Sequence, residues 1–186
     1  MSAGLEKLER IVRDLIPPHG THGLEHMRRV YETCMALGKA LEADMSILLP
    51  AVLLHDIVRD GGDHASASSV KAREILRDLH YTEKSIEAIS KIIGAHSFSA
   101  GRMPDSLEAK ILSDADKLDA MGALGVYRAA MYSAENGRPL EDFVVHFSEK
   151  LLTLRDMIFT DEAKSLAESR HRFLLKFLEQ IDGELN

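Results

Sequence analysis

The sequence predicts an all-α fold, a compact single-domain helical bundle, on three observations. Apolar residues recur at helical spacing through most of the chain, and few stretches alternate as strands do. Leu, Ala, Ile, Met, Glu and Lys are plentiful, whereas aromatic residues make up 5% and Trp is absent. At 186 residues the chain has the length of one domain that buries a core without staples. No repeat, low-complexity tract or linker divides it. Residues 1–186 therefore read as one domain, with a motif-bearing core over about 20–130 and C-terminal helices over about 139–182.

Leu5, Leu8, Val12 and Leu15 define a first helix over 4–16, ended by Pro17-Pro18 and Gly20. A second runs from near Gly23 to about Leu41 on the stripe Val30, Cys34, Leu37 and Leu41, with His22 and His26 in its first turn. Residues 46–58, SILLPAVLLHDIV, are apolar nearly all round and read as a buried central helix, with Ser46 as N-cap and Pro50 near the first turn. After the break Asp60-Gly61-Gly62-Asp63, two charged surface helices are expected over 64–79 and 82–96, then a loop through Gly101 and Pro104. Leu107, Ile111, Ala115 and Leu118 form the next helical face, which Gly122 and Gly125 loosen. Helices over 139–157 and 161–182 close the chain.

A net charge of -7 opposes binding along a nucleic-acid backbone, which needs a basic surface, but leaves room for a small phosphorylated ligand at a local patch. The single cysteine, Cys34, rules out an intramolecular disulfide and a multi-Cys zinc site, and fits a reducing cytoplasm. No segment reads as a signal peptide or a membrane span. A homo-oligomer is compatible with the sequence.

The chemistry concentrates at His55-Asp56. An ionised carboxylate inside the most apolar helix needs a partner, and a metal ion is the economical one. Adjacent helical residues project about 100° apart, so other segments must complete the site. His26 supplies one such donor, and the run Ser113-Asp114-Ala115-Asp116-Lys117-Leu118-Asp119 another. Asp114 and Asp116 lie about 200° apart on a helix, so one of them faces the ion. Asp114 also has Lys110 and Lys117 within reach for a surface pair.

HGLEHMRRV with His26, LLHDIVRD with His55 and Asp56, and SDADKLDAMG with Asp116 together resemble the HD-domain family of metal-dependent phosphohydrolases. The resemblance covers roughly residues 20–130 and is closest to small stand-alone hydrolases. It implies an HD-type helical bundle in which His26, His55, Asp56 and Asp116 hold a divalent ion, with Asp116 rather than Asp114 as the fourth ligand. Such an ion lowers the pKa of water and polarises a phosphoryl oxygen, so the implied reaction is phosphoester or phosphoanhydride hydrolysis. Imidazole with carboxylate suits Mn, Fe, Co, Ni or Zn. Some two-metal relatives use extra histidines in the interval that contains His96, which implies a second ion as an alternative. Some of the small hydrolases act on nucleotides, and a nucleotide or another small phosphorylated metabolite is the expected substrate.

Around these ligands, Asp56, Asp119 and Lys117 are the expected catalytic residues. Arg29, Arg59, His64 and His96 are the expected substrate contacts: Arg29 lies near the His26 face, and His64 opens a helix whose N–H groups favour anions. His22 stands as a supporting residue for the site. Two rivals remain. One is a non-catalytic regulatory module of the same architecture. The other is a peptidase in which His22-Gly23-Leu24-Glu25-His26 forms an H-x-x-E-H motif with Glu25 as base.

Overall fold

α3 (Met45–Leu54) organises the first half of the molecule, because every residue from Leu48 to Leu54 is buried. A helix apolar on all sides has to be surrounded, and in this computed structural model α1 (Ala3–Leu15), α2 (Leu24–Ala40), α4 (His64–Asp78) and α5 (Glu83–Ala95) pack on it. The structure describes residues 3–59, 62–96 and 102–185. It divides into two compact units, residues 1–115 and 116–186.

In the first unit each helix turns one stripe inward. Leu5, Leu8 and Val12 of α1, Val30, Cys34 and Leu37 of α2, and Ile86, Ile89 and Ile93 of α5 are buried. Burying side chains of this size stabilises the fold by about 1.5–3 kcal/mol each. α5 was expected as a charged surface helix, and the structure corrects this: its four isoleucines face inward and it packs against both α3 and α4. The cap of α3 is Asp44, not Ser46. The Asp44 carboxylate accepts from the Ser46 amide at 2.9 Å and from its hydroxyl at 2.6 Å, a stronger acceptor displacing a weaker one by two residues. Pro50 lies inside α3 rather than in its first turn, with no N–H to give the Ser46 carbonyl.

α3 also stops sooner than its apolar pattern suggests. His55 follows its last residue, and the His55 ring bonds the Val52 carbonyl at 2.7 Å, the group that the Asp56 amide would take if the helix continued. His55 and Asp56 therefore stand at the end of the central helix, not within it. Of the expected break after them, Asp60 and Gly61 fall outside the described residues, as does Gly101 of the later loop. α6 (Leu107–Asp119) is continuous from the first unit into the second.

In the second unit, α7 (Gly122–Glu135) begins at the first of the two glycines expected to loosen the pattern. The single helix expected over 139–157 is three pieces: α8 (Leu140–His146), a π turn (Phe147–Leu151) and a 3₁₀ turn (Thr153–Met157). Ser148 and Thr153 hydroxyls donate to the carbonyls of Val145 and Lys150, and such side-chain bonds compete with the regular ladder. The widened turn seats Phe147 between Phe143 and Phe177, at ring separations of 5.0 and 5.3 Å. α9 (Asp161–Leu185) lies on α7 through a buried stripe that includes Ala163, Ala167 and Leu174. No strand occurs among the described residues. Among them, too, no helix is long and apolar enough to cross a membrane.

Candidate metal centre

Five histidines of the first unit form an arc around one carboxylate. The rings follow the order His22, His26, His55, His96, His64, with neighbouring centroids 5.5, 5.6, 5.0 and 5.5 Å apart. Asp56 is the hub. Its Oδ2 lies 3.0 Å from His22 Nδ1, 3.8 Å from His26 Nε2 and 3.9 Å from His55 Nε2. Its Oδ1 lies 3.8 Å from both His64 Nε2 and His96 Nε2. Each donor comes from a different local device: His26 from the buried face of α2, His55 from the stop of α3, His96 from the C-cap of α5. His64 is the first residue of α4, which Asp63 caps by accepting from the Ser66 amide at 3.0 Å.

The hydrogen bonds fix which nitrogen faces the hub. A carbonyl only accepts, so the Nδ1 of His55, 2.7 Å from Val52 O, and the Nδ1 of His96, 2.6 Å from Ile93 O, carry the proton in the neutral ring. Their Nε2 atoms then present lone pairs toward Asp56. The His55 Nε2 is buried and has no hydrogen-bond partner among the described residues. A lone pair facing a carboxylate oxygen at 3.9 Å is repulsive unless a proton or a metal cation lies between them. Ligand distances of about 2.0–2.2 Å for nitrogen and oxygen fit inside that separation, so the residues suit a divalent ion.

His22 plays a different part. An arginine only donates, so the Arg59 Nη2 bond of 2.7 Å to His22 Nε2 leaves His22 Nδ1 to donate to Asp56. Arg59 Nη1 also reaches both Asp56 oxygens, at 2.8 and 3.0 Å. Burial pushes the Asp56 carboxyl up, but the charge His55 carries when protonated, the His22 hydrogen bond, Arg59 and the charge of protonated His96 outweigh it and hold the group well below the usual carboxylate range. His22 sits in a turn before α2, not in its first turn as expected.

Two groups of the arc have mutually close donor atoms, each within 4.8 Å: His22, His26 and Asp56, and His55, Asp56 and His96. Of the ligands expected from the sequence, His26, His55, Asp56 and Asp116, and the expected substrate contacts, Arg29, Arg59, His64 and His96, the structure gathers His26, His55, Arg59, His64 and His96 about the Asp56 carboxylate. Arg29 is half-buried on α2, while its neighbour Arg28 faces solvent and pairs with Glu32. Glu25 is exposed and pairs with His19 at 3.4 Å rather than facing inward with His26, so the peptidase reading loses its base.

The last turn of α6 belongs to the second unit. There Asp116 is half-buried, and Lys117 is buried with its Nζ 5.0 Å from the centre of the Phe159 ring. Asp119 is buried and accepts from Arg128 at 3.0 Å. In the first unit, Asp114 corrects its expected surface pairing: it is fully buried. It stands three residues after Ile111 and four before Leu118, on the same inward face. Sequence reasoning did not single out Arg128, although a lone arginine among the Ala, Gly and Tyr residues of α7 signals a buried charge.

Comparison with known proteins supplies the family. The HD-domain family model matches residues 23–121. YpgQ of Bacillus subtilis is 33% identical over 173 residues, which cover 88% of this chain and 84% of that protein. Its crystal structure in complex with ADP matches with a TM-score of 0.80 at 29% identity, over 97% of each chain. A Lactobacillus plantarum protein matches with a TM-score of 0.86 at 29% identity, over 100% of this chain and 98% of that one. A Bacillus thuringiensis protein described as an HD-superfamily hydrolase matches with a TM-score of 0.77 at 32% identity, over 98% and 96%. All-α fold, His-Asp centre and family match converge: the chain belongs to the HD-domain family.

Proposed function

We propose that the chain is a divalent-metal-dependent phosphohydrolase acting on a nucleotide or another small phosphorylated metabolite. The observation that carries this reading is the arc of imidazoles around buried Asp56, with the lone pair of His55 Nε2 facing the carboxylate. His26, His55 and Asp56 would hold the ion, with Asp116 as the fourth ligand on the family pattern. An ion bound there supplies a Lewis acid that acidifies water and polarises a phosphoryl oxygen.

The chain's own residues do the rest. The Nδ1 bonds of His55 and His96 to backbone carbonyls lock the rings with Nε2 inward, so little orientation is lost when a ligand binds. Arg59 is the nearest guanidinium to the hub, and its planar fork suits a phosphoryl group as well as a carboxylate. Arg29 and Lys117 are the further cations for phosphate charge, and Asp119 is the further carboxylate. Nucleotide recognition is favoured because a relative of the same fold was crystallised with ADP.

A second reading has a specific observation behind it. Asp56 Oδ1 faces His64 and His96 while Oδ2 faces His26 and His55, the arrangement of a carboxylate that bridges two ions. Metal titration separates the readings by stoichiometry, one ion or two. The activity itself is tested by incubating the protein with Mn²⁺ or Co²⁺ and nucleoside mono-, di- and triphosphates and identifying the products. Metal-dependent release of phosphate or pyrophosphate is expected, and lost in Asp56→Ala. Metal binding without turnover of any phosphate ester favours a regulatory module.

A further inference from the structure

The last turn of α6 is held by two arginines from other helices of the second unit. At Gly122, φ is +70°, and a Cβ would come within 3.0 Å of Arg170 Cγ and 3.2 Å of Arg170 Cβ. At Gly125 a Cβ would meet the Ala120 carbonyl oxygen at 2.3 Å. Glycine at both places lets α7 start directly against the end of α6, with the stem of Arg170 lying on the joint. Arg170 Nη1 reaches the Leu118 carbonyl, which the Met121 amide also approaches at 3.1 Å. This carbonyl lies in the last turn of α6, where the helix has no further amides of its own to offer. A cation there also complements the negative end of the helix dipole. From α7, Arg128 grips Asp119 in the same turn.

Arg170 stands where the packing of α9 alone asks for no cation. Ala163, Ala167, Arg170 and Leu174 follow at i, i+4, i+7 and i+11, the spacing of one face, and the other three are buried apolar residues. An aliphatic side chain would serve that stripe without the cost of desolvating a guanidinium. The structural return on the charge is the capped end of α6.

We propose that Arg170 is a positioning residue for the metal centre: by clamping the Leu118 carbonyl it holds the turn that carries Asp116, Lys117 and Asp119, and so fixes the orientation of Asp116 for ligation. This rests on the reading of Asp116 as a ligand. Arg170 touches no reacting group; it acts through the turn.

The test uses the full chain and measures Mn²⁺ affinity by calorimetry, with the metal-induced rise in melting temperature as a second readout. Arg170→Met is expected to weaken Mn²⁺ binding by about 10-fold, the lower range for loss of a residue that supports a ligand. Arg170→Lys, which still donates to a carbonyl, restores part of it. Gly122→Ala strains the same joint and shifts affinity in the same direction. At saturating Mn²⁺ the KM for substrate stays at the wild-type value, which a phosphate-contacting arginine would not allow. If Arg170→Met lowers the melting temperature of the metal-free protein but binds Mn²⁺ as tightly as wild type, the inference is overturned and the proposed function stands. Should Arg170→Met fail to fold, Arg170→Lys and Gly122→Ala decide, and wild-type affinity in both overturns it. A wild-type protein that binds no divalent ion overturns both the inference and the reading beneath it.

Discussion

Replacing Arg128 by Met removes one half of a buried ion pair and leaves Asp119 behind. The two side chains are 8% and 5% exposed and meet at 3.0 Å, so water cannot replace the lost partner easily. Breaking such a pair from one side costs about 3–5 kcal/mol. The positive charge of Arg170 also acts on Asp119, which places the expected loss near the lower end, about 3 kcal/mol. At about 2–4 °C per kcal/mol for a chain of this size, the melting temperature falls by roughly 6–12 °C. The assay is a double-mutant cycle in urea and by thermal melting, with Arg128→Met, Asp119→Leu and the combination. The combined variant should return to within about 1.5 kcal/mol of wild type, because an apolar pair of similar volume replaces the buried ions at little net cost. An Arg128→Met protein as stable as wild type, or a combined variant no better than the single one, would show that Asp119 does not depend on Arg128.

Other consequences follow from single residues. The Ser90 hydroxyl is buried and has no partner among the described residues, so Ser90→Ala should stabilise by about 1 kcal/mol, and a clear loss in denaturant titration would show a hidden role. Asp44→Ala removes the cap of α3 and should cost about 1 kcal/mol in the same titration, whereas Ser46→Ala, its hydroxyl being only a donor to Asp44, should cost less. Glu25→Gln should leave metal-dependent phosphate release unchanged, since Glu25 faces solvent; abolition of activity would place Glu25 in the site.

The helical fold was legible because apolar spacing reports directly on which helix face is buried, and α3 could be named the central helix from composition alone. His55-Asp56 stood out for the same reason, as polar residues interrupting an apolar run, although the sequence placed them inside the helix rather than at its end. His22, His64 and His96 were expected near the site, but their convergence on Asp56 itself was not legible, because it depends on how the turn before α2, the start of α4 and the end of α5 approach the end of α3, and no local pattern encodes that. Asp114 was misjudged by considering Lys110 and Lys117 as partners while overlooking that Ile111 and Leu118 place it on the inward face. Arg170 left a readable trace, a cation on the Ala163, Ala167 and Leu174 stripe, but its partner Leu118 is a backbone carbonyl and carries no sequence signature. The early stop of α3 likewise depends on the His55 ring taking the Val52 carbonyl, a choice made only once the ring is held.

On the proposed reading, the histidine arc around Asp56 holds a divalent ion that the chain uses on phosphate esters. That reading is tested most directly by measuring Mn²⁺ binding and nucleotide hydrolysis on the same preparations of wild type, His55→Ala and Asp56→Ala, with circular dichroism as the check on folding. Bound ion and metal-dependent phosphate or pyrophosphate release are expected in wild type, and loss of both in the two variants while the helical signal persists. Unchanged Mn²⁺ affinity and turnover in folded Asp56→Ala would contradict the reading.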